Sequence, residues 1–376
     1  AFKDATRLTF DKTKGNSAVG ENALKKNTSG YTNTAIGHDS LKENTGGYDN
    51  VAIGRQAMKE NTTGERNTAV GVDALAKNTT GDHNLALGQN ALGYNTTGTY
   101  NTALGIDALE YGVNCSFNVA IGQYALLNLD GANNNTACGY NVMQGETSGN
   151  SNCAYGFYSL ATQDGVTGNT AYGSETGRFN TTGNFLTFVG FKAGRSNTTG
   201  SNLTFVGEQA GFKNTTGVKN IAVGSTALYN NTVADFNTAI GFNALFLAVA
   251  GNNTAIGGYS GYSLTTGTQN TFIGYGAGFS GSQKVDAVNT TAIGRGAFTT
   301  KDNTVQLGNP SVVGVGVGAN KIEWLASVPT AGIWARGSVV YNLSVVAGGP
   351  MGWMCVTAGD FALIPPVFKA MPNVAI

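Results

Sequence analysis

A glycine returns every 17 residues from Gly20 to Gly241, fourteen times without a break. Gly257, Gly274, Gly294 and Gly308 continue the series at spacings of 16, 17, 20 and 14. Each glycine closes a short apolar stretch, as in Asn33-Thr34-Ala35-Ile36-Gly37, Asn50-Val51-Ala52-Ile53-Gly54 and Asn237-Thr238-Ala239-Ile240-Gly241. A fixed short period of this kind specifies a solenoid, in which every repeat is one coil resting on the last. Seventeen residues are too few for a strand–helix–strand unit and suit two short strands and two turns. The first strand is expected at Asn-Thr-Ala-Ile-Gly and the second around the Ala-Leu pair that follows. The Asn-Thr-Thr-Gly segments at 61–64, 78–81, 95–98, 197–200 and 214–217 read as turns, because Asn tolerates left-handed dihedrals and Gly supplies positive φ. Equivalent strands then pair in parallel about 4.8 Å apart, and about eighteen coils would give a rod of about 85 Å.

Composition narrows the class. Glycine reaches 55 of 376 residues beside only 6 prolines, which argues against collagen; 41% apolar residues in a strict period argue against disorder. Net charge is zero, so bulk charge points to neither nucleic acid nor anionic membrane. No apolar run approaches the ~18 residues that span a bilayer. Three regions follow. Residues 1–15 form an entry strand, with Thr6-Arg7-Leu8-Thr9-Phe10 alternating polar and apolar; it caps the first coil or receives the end of another subunit. Residues 16–309 are the array. In residues 310–376 the glycine period is lost and Pro and Trp concentrate, which suggests a small C-terminal β module. Its alternation from Ser311 to Gly318 suits a strand rather than a phosphate loop.

Side chains alternate across a strand. One position holds Val19, Ile36, Ile53, Val70, Leu87, Leu104, Ile121, Cys138, Tyr155, Tyr172, Val189, Val206, Val223 and Ile240, never a charge. The residue before it, as at Ala35 and Ala52, is nearly always Ala. Phe replaces this Ala at Phe188, Phe205 and Phe272, and in those coils the downstream Leu, exemplified by Leu41, becomes Gly194, Gly211 and Gly278. The preceding coils also carry Gly there, at Gly177, Gly194 and Gly261. A large residue enters where a large one leaves, so the two positions share one packed interior. The Ile column then faces outward, where an apolar patch of this length calls for a partner. The simplest is another copy of the chain, packed around an axis parallel to the rod. The competing arrangement is a lone chain with Ile inside and Ala outside.

Little reactive chemistry is offered. Only His38 and His83 are present, so no HExxH zinc site is possible, and the acidic residues scatter over variable positions. No enzymatic activity, cofactor or metal is expected. Cys138 and Cys153 fall on adjacent coils, as a disulfide or as free packed thiols. Asn27, Asn61 and Asn78 begin Asn-x-Ser/Thr triplets, which read as glycosylation acceptors or simply as turns. Trp334, Arg336 and Trp353 form either a sugar-stacking site or the core and rim of a small β domain.

The Asn-Thr-Ala-Ile-Gly strands with their small-residue turns resemble the head repeats of YadA-like trimeric adhesins. The longer unit with Ala-Leu and Asn-Thr-Thr-Gly looks more like repeats of tail-fibre proteins of phages and phage-like particles, and Asp302-Asn303-Thr304-Val305-Gln306-Leu307-Gly308-Asn309 is similar to the segment that closes such arrays. The likeness spans roughly residues 16–310. It implies a left-handed parallel β-roll and three chains about a threefold axis, with Val19 to Ile240 of the outward column at the trimer interface. It also implies an extracellular fibre that attaches to a host surface. The chain departs from the adhesins in its period, and no heptad run or amphipathic barrel strand is read between residues 1 and 376. The alternatives are a secreted subunit of a head-to-tail filament, a bacterial surface adhesin and, third, a polysaccharide-degrading spike. Expected partners are two further copies of the chain, end-to-end neighbours and a surface glycan or receptor.

Overall fold

The computed structural model describes Leu8–Asp11, residues 13–311 and the backbone of seven strands between positions 314 and 370. The described chain is all-β. Strand β1 (Leu8–Asp11) pairs antiparallel with β2 (Asn16–Val19). From β2, through β3 (Thr34–Ile36) and β4 (Val51–Ile53), to β18 (Thr291–Ile293) and β19 (Val305–Leu307), every strand pairs in parallel with the next. This is a parallel β-solenoid of seventeen turns, with β1 covering the free edge of its first strand. Register never slips: Ile36 lies opposite Ile53, Ile53 opposite Val70, and so on up the stack. The 20-residue coil between Gly274 and Gly294 keeps it too, with Thr271 opposite Thr291.

Each strand is short because glycine ends it. Gly54 sits at φ +138°, and a Cβ there would lie 2.2 Å from the carbonyl oxygen of Gly71 one coil on. Only glycine lets successive coils close to hydrogen-bonding distance at this corner.

The second expected strand is absent. The Ala-Leu segment is a stack of turns, and its leucines have left-handed dihedrals, as at Leu41 (φ 48°), Leu75 (52°) and Leu109 (51°). Coils still bond across it, Leu75 N donating to Ala91 O at 2.9 Å. A left-handed Leu costs about 1–2 kcal/mol, while burying its side chain stabilises by about 1.5–3 kcal/mol. Leu41, Leu75 and Leu109 are fully buried, so packing outweighs the backbone strain.

Inside, the Ala and Leu columns form the core, and Ala35, Ala52 and Leu41 have no exposed surface. The Phe coils show the inferred volume exchange directly. A Cβ on Gly194 would meet the Phe188 ring at 2.6 Å, on Gly211 the Phe205 ring at 2.4 Å, and on Gly278 the Phe272 ring at 2.6 Å. Phe188 and Phe205 stack at 5.1 Å between centroids.

Two asparagine ladders line the same interior. The Asn before each strand is buried: Asn50 Nδ2 donates to Gly64 O (2.9 Å), and its Oδ1 accepts the backbone N–H of Asn67 (2.9 Å). In two Phe coils the residue becomes Leu186 or Leu203, so this ladder is interrupted there. The turn Asn forms the second ladder, Asn61 Nδ2 donating to Asn44 Oδ1 (2.9 Å) and Gly64 O (3.0 Å). Asn61 and Asn78 are fully buried with their amide nitrogens committed, so within the folded coil they serve as turn asparagines and not as glycan acceptors. Such ladders matter because a buried amide left unpaired costs about 1–3 kcal/mol.

In the C-terminal region, β20 (Gly314–Val317), β21 (Asn320–Leu325), β23 (Val339–Asn342), β24 (Gly352–Thr357) and β26 (Val367–Ala370) make a five-stranded sheet. β22 (Ile333–Trp334) pairs with β25 (Gly359–Asp360).

Candidate functional site

The feature that sets this solenoid apart is its outer strand face. In each strand the middle residue points inward, so its two neighbours point outward and line up in columns. The first column is the one anticipated: Val19, Ile36, Ile53, Val70, Leu87, Leu104, Ile121, Tyr155, Tyr172, Val189, Val206, Val223 and Ile240, with Cys138 among them. None of these is buried in the single chain, where Ile36 is 41% exposed and Tyr172 60%. Ile256, Ile273, Ile293 and Leu307 extend the column to the last coil. The arrangement with Ile inside and Ala outside is therefore not the one found.

The second column was not singled out from sequence. It runs Thr34, Val51, Thr68, Leu85, Thr102, Val119 and onward to Ile221, Thr291 and Val305. It too contains no Asp, Glu, Lys, Arg or His from β2 to β19. The signal was available in the strict alternation about Ala, but threonine reads as ordinary surface. Together the columns make a continuous, uncharged, largely β-branched face about 80 Å long at the usual strand spacing. Charged side chains lie elsewhere on the coil, as in the Arg55–Asp73 (2.9 Å) and Lys77–Glu60 (2.6 Å) pairs between successive coils.

Among the described residues Cys115, Cys138 and Cys153 are free thiols. Cys138 stands in the first column opposite Tyr155, and Cys153 in the second opposite Thr136, so the two are diagonal neighbours on the face. Cys115 is buried, and burial pushes its thiol up to about 12. Cys355 lies in β24, its side chain outside the described residues. His38 stands near Glu21 (3.7 Å) and Asp39 (3.6 Å) on the surface, and His83 stacks on Tyr100. Among the described residues no three His, Cys, Asp or Glu side chains converge on a metal position. Trp334 falls in β22 and Trp353 in β24, while Arg336 and all three side chains lie outside the described residues.

Other residues replace the turn Asn in several coils, among them Leu129, Gln163 and Glu146. Glu146 is fully buried. Its Oε1 accepts the N–H groups of Gly149 (2.6 Å) and Gly165 (2.8 Å), while Oε2 has no partner. Burial pushes this carboxyl above the usual carboxylate range, against the pull of the backbone donors.

No known protein family matches the sequence, and no curated protein is significantly similar to it.

Proposed function

We propose that this chain is the subunit of a homotrimeric extracellular fibre, of the tail-fibre kind, that mediates attachment to a host surface. The observation that carries the reading is the uncharged outer face, two columns wide and eighteen strands long, with no covering in the single chain. Apolar patches of this extent are rare on soluble monomers and mark interaction sites. A continuous face along a rod is covered over its whole length when copies pack side by side about a parallel axis. The array then acts as a stiff spacer, and three identical chains multiply a weak surface contact. Size-exclusion chromatography with light scattering tests the assembly: the expected mass is three chains, and a mass of one chain would overturn the reading.

A second reading, a filament subunit joined end to end, draws on one observation. Among the described residues β19 pairs only with β18, and Val305 on it is 71% exposed. An unpaired strand edge templates addition of another chain. Electron microscopy of the native particle separates the two, since discrete fibres of fixed length favour the first and filaments of indefinite length the second.

A further inference from the structure

The turn side of the coil carries a gap that the repeat itself creates. Five residues after each closing glycine, one side chain projects from the turn. Along the array this position is Lys42, Lys59, then Ala76 and Gly93, then Glu110, and later Arg178, Arg195, Phe212 and Tyr229. The later side chains cover one another, with the Phe212 and Tyr229 rings stacked at 5.1 Å and Arg195 reaching over Phe179 and Phe212. At Ala76 and Gly93 two successive coils supply nothing, and a groove of about 310 Å³ opens. That lies at the lower end of the range for small-molecule sites, about 300–1,000 Å³.

Along the stack Gln56 and Lys59 come from the coil before Ala76 and Glu110 from the coil after Gly93, with Tyr94 next to Gly93. The remaining polar groups are already engaged: Asp73 with Arg55, Lys77 with Glu60, and Asn90 with Asp107 (2.9 Å). Gln56, Lys59 and Glu110 make no side-chain hydrogen bond or ion pair among the described residues, so donors and acceptors of both kinds face the gap unused. Burial, and secondarily Asp107, holds the Glu110 carboxyl above its usual range, as expected where no cation compensates it. Two lysines and three carboxylates line the groove; with Lys77 paired to Glu60 and Asp73 to Arg55, the unpaired charges are one of each sign, Lys59 and Glu110. Tyr94 adds an aromatic ring, 45% exposed, that offers an apolar surface beside those polar groups. Mixed donors and acceptors, one aromatic wall, near-zero charge and a length of two coils describe a small, hydroxyl-rich, uncharged ligand.

We infer that this groove is a binding subsite for one or two sugar units of an uncharged saccharide. The inference deepens the attachment reading and rests on it for the nature of the target, but the groove itself belongs to one chain and lies outside the two strand columns.

The test is binding of the purified full chain to a printed panel of uncharged oligosaccharides, followed by calorimetry on whichever neutral disaccharide or trisaccharide gives the strongest signal. Two variants address the groove. Ala76→Arg fills the gap with the side chain that the same position carries at Arg178 and Arg195. Tyr94→Ala removes the aromatic wall. Each is expected to raise the Kd at least tenfold while leaving the thermal midpoint and the oligomeric mass unchanged. The subsite is overturned if no uncharged saccharide binds, if only charged glycans or nucleic acid bind, or if both variants bind as the parent does. Mass measured on the same sample keeps the two readings apart: a trimer without binding removes the subsite alone, and a binding monomer removes the fibre alone.

Discussion

The two sides of one three-residue strand obey different rules. On the inward side the exchange of Ala for Phe is compensated nearby. Where Ala becomes Phe188, Phe205 or Phe272, Leu becomes Gly194, Gly211 or Gly278, and the glycine positions touch those rings. On the outward side Ile, Val, Leu, Cys and Tyr replace one another with no matching change in the chain. A closed interior has fixed volume, so its residues vary in concert. An outward column varies freely within one limit, the exclusion of charge, and that limit has no explanation inside the single chain.

The largest expected effect tests that limit. Ile53→Asp and Arg55→Asp place the same carboxylate two residues apart, one on the strand face and one beside it. An uncompensated charge in a dry interface costs several kcal/mol, about 3–5 by comparison with broken buried ion pairs, whereas a surface charge change costs less than about 1 kcal/mol. Ile53→Asp is expected to reduce the assembly to single chains in light scattering, and Arg55→Asp to leave its mass intact. Equal behaviour of the two variants would erase the distinction between the sides.

The next effect concerns the inside. Gly194→Leu drives a side chain into the Phe188 ring and is expected to destabilise by about 3 kcal/mol in denaturant titration. The backbone conformation is one that leucine holds in other coils. Phe188→Ala alone opens a cavity and costs about 3–5 kcal/mol. The double variant restores the Ala–Leu arrangement and is expected to be more stable than the sum of the singles by at least about 1 kcal/mol. Strict additivity would mean that the two positions do not share a space.

The period, the parallel stack and the direction each column faces were legible because they are carried by side-chain size and charge, repeated eighteen times. The turn over Ala-Leu was not. Two adjacent apolar residues read as a strand, and leucine gives no warning of a left-handed backbone. The glycines at 177, 194, 211, 261 and 278 held the clue, since they mark both missing volume and a conformation that glycine accepts readily. The buried asparagines were read as ordinary turn formers, because nothing in an Asn-Thr-Thr-Gly segment says that its amide will find the Asn above and below it. The groove at Ala76 and Gly93 becomes visible only once that position is known to project from the turn.

The smallest effect sharpens the rule for the inside by testing its exception. Glu146 replaces a ladder Asn and nothing nearby answers its second oxygen. Burial holds its carboxyl above the ordinary value of 4.5, so the folded coil favours the protonated form. That contribution is complete below about pH 4.5 and is lost as pH rises through the folded value. Glu146→Gln keeps the acceptor for Gly149 and Gly165 and removes the titration. It is expected to stabilise by about 1 kcal/mol at pH 7, with the advantage shrinking to nothing below pH 4.5 in thermal melts. An advantage independent of pH would assign the effect to shape instead of charge.

The coil between Gly274 and Gly294 carries three residues more than the regular 17, yet its strand meets the next one in the usual register. The rise from coil to coil is therefore set by the strand and not by the residues spent in going round. Such a molecule behaves as a ruler graduated in steps of about 4.8 Å. Duplicating or deleting one repeat changes its reach by one graduation, and extra residues in a turn change what hangs from a mark without moving the mark.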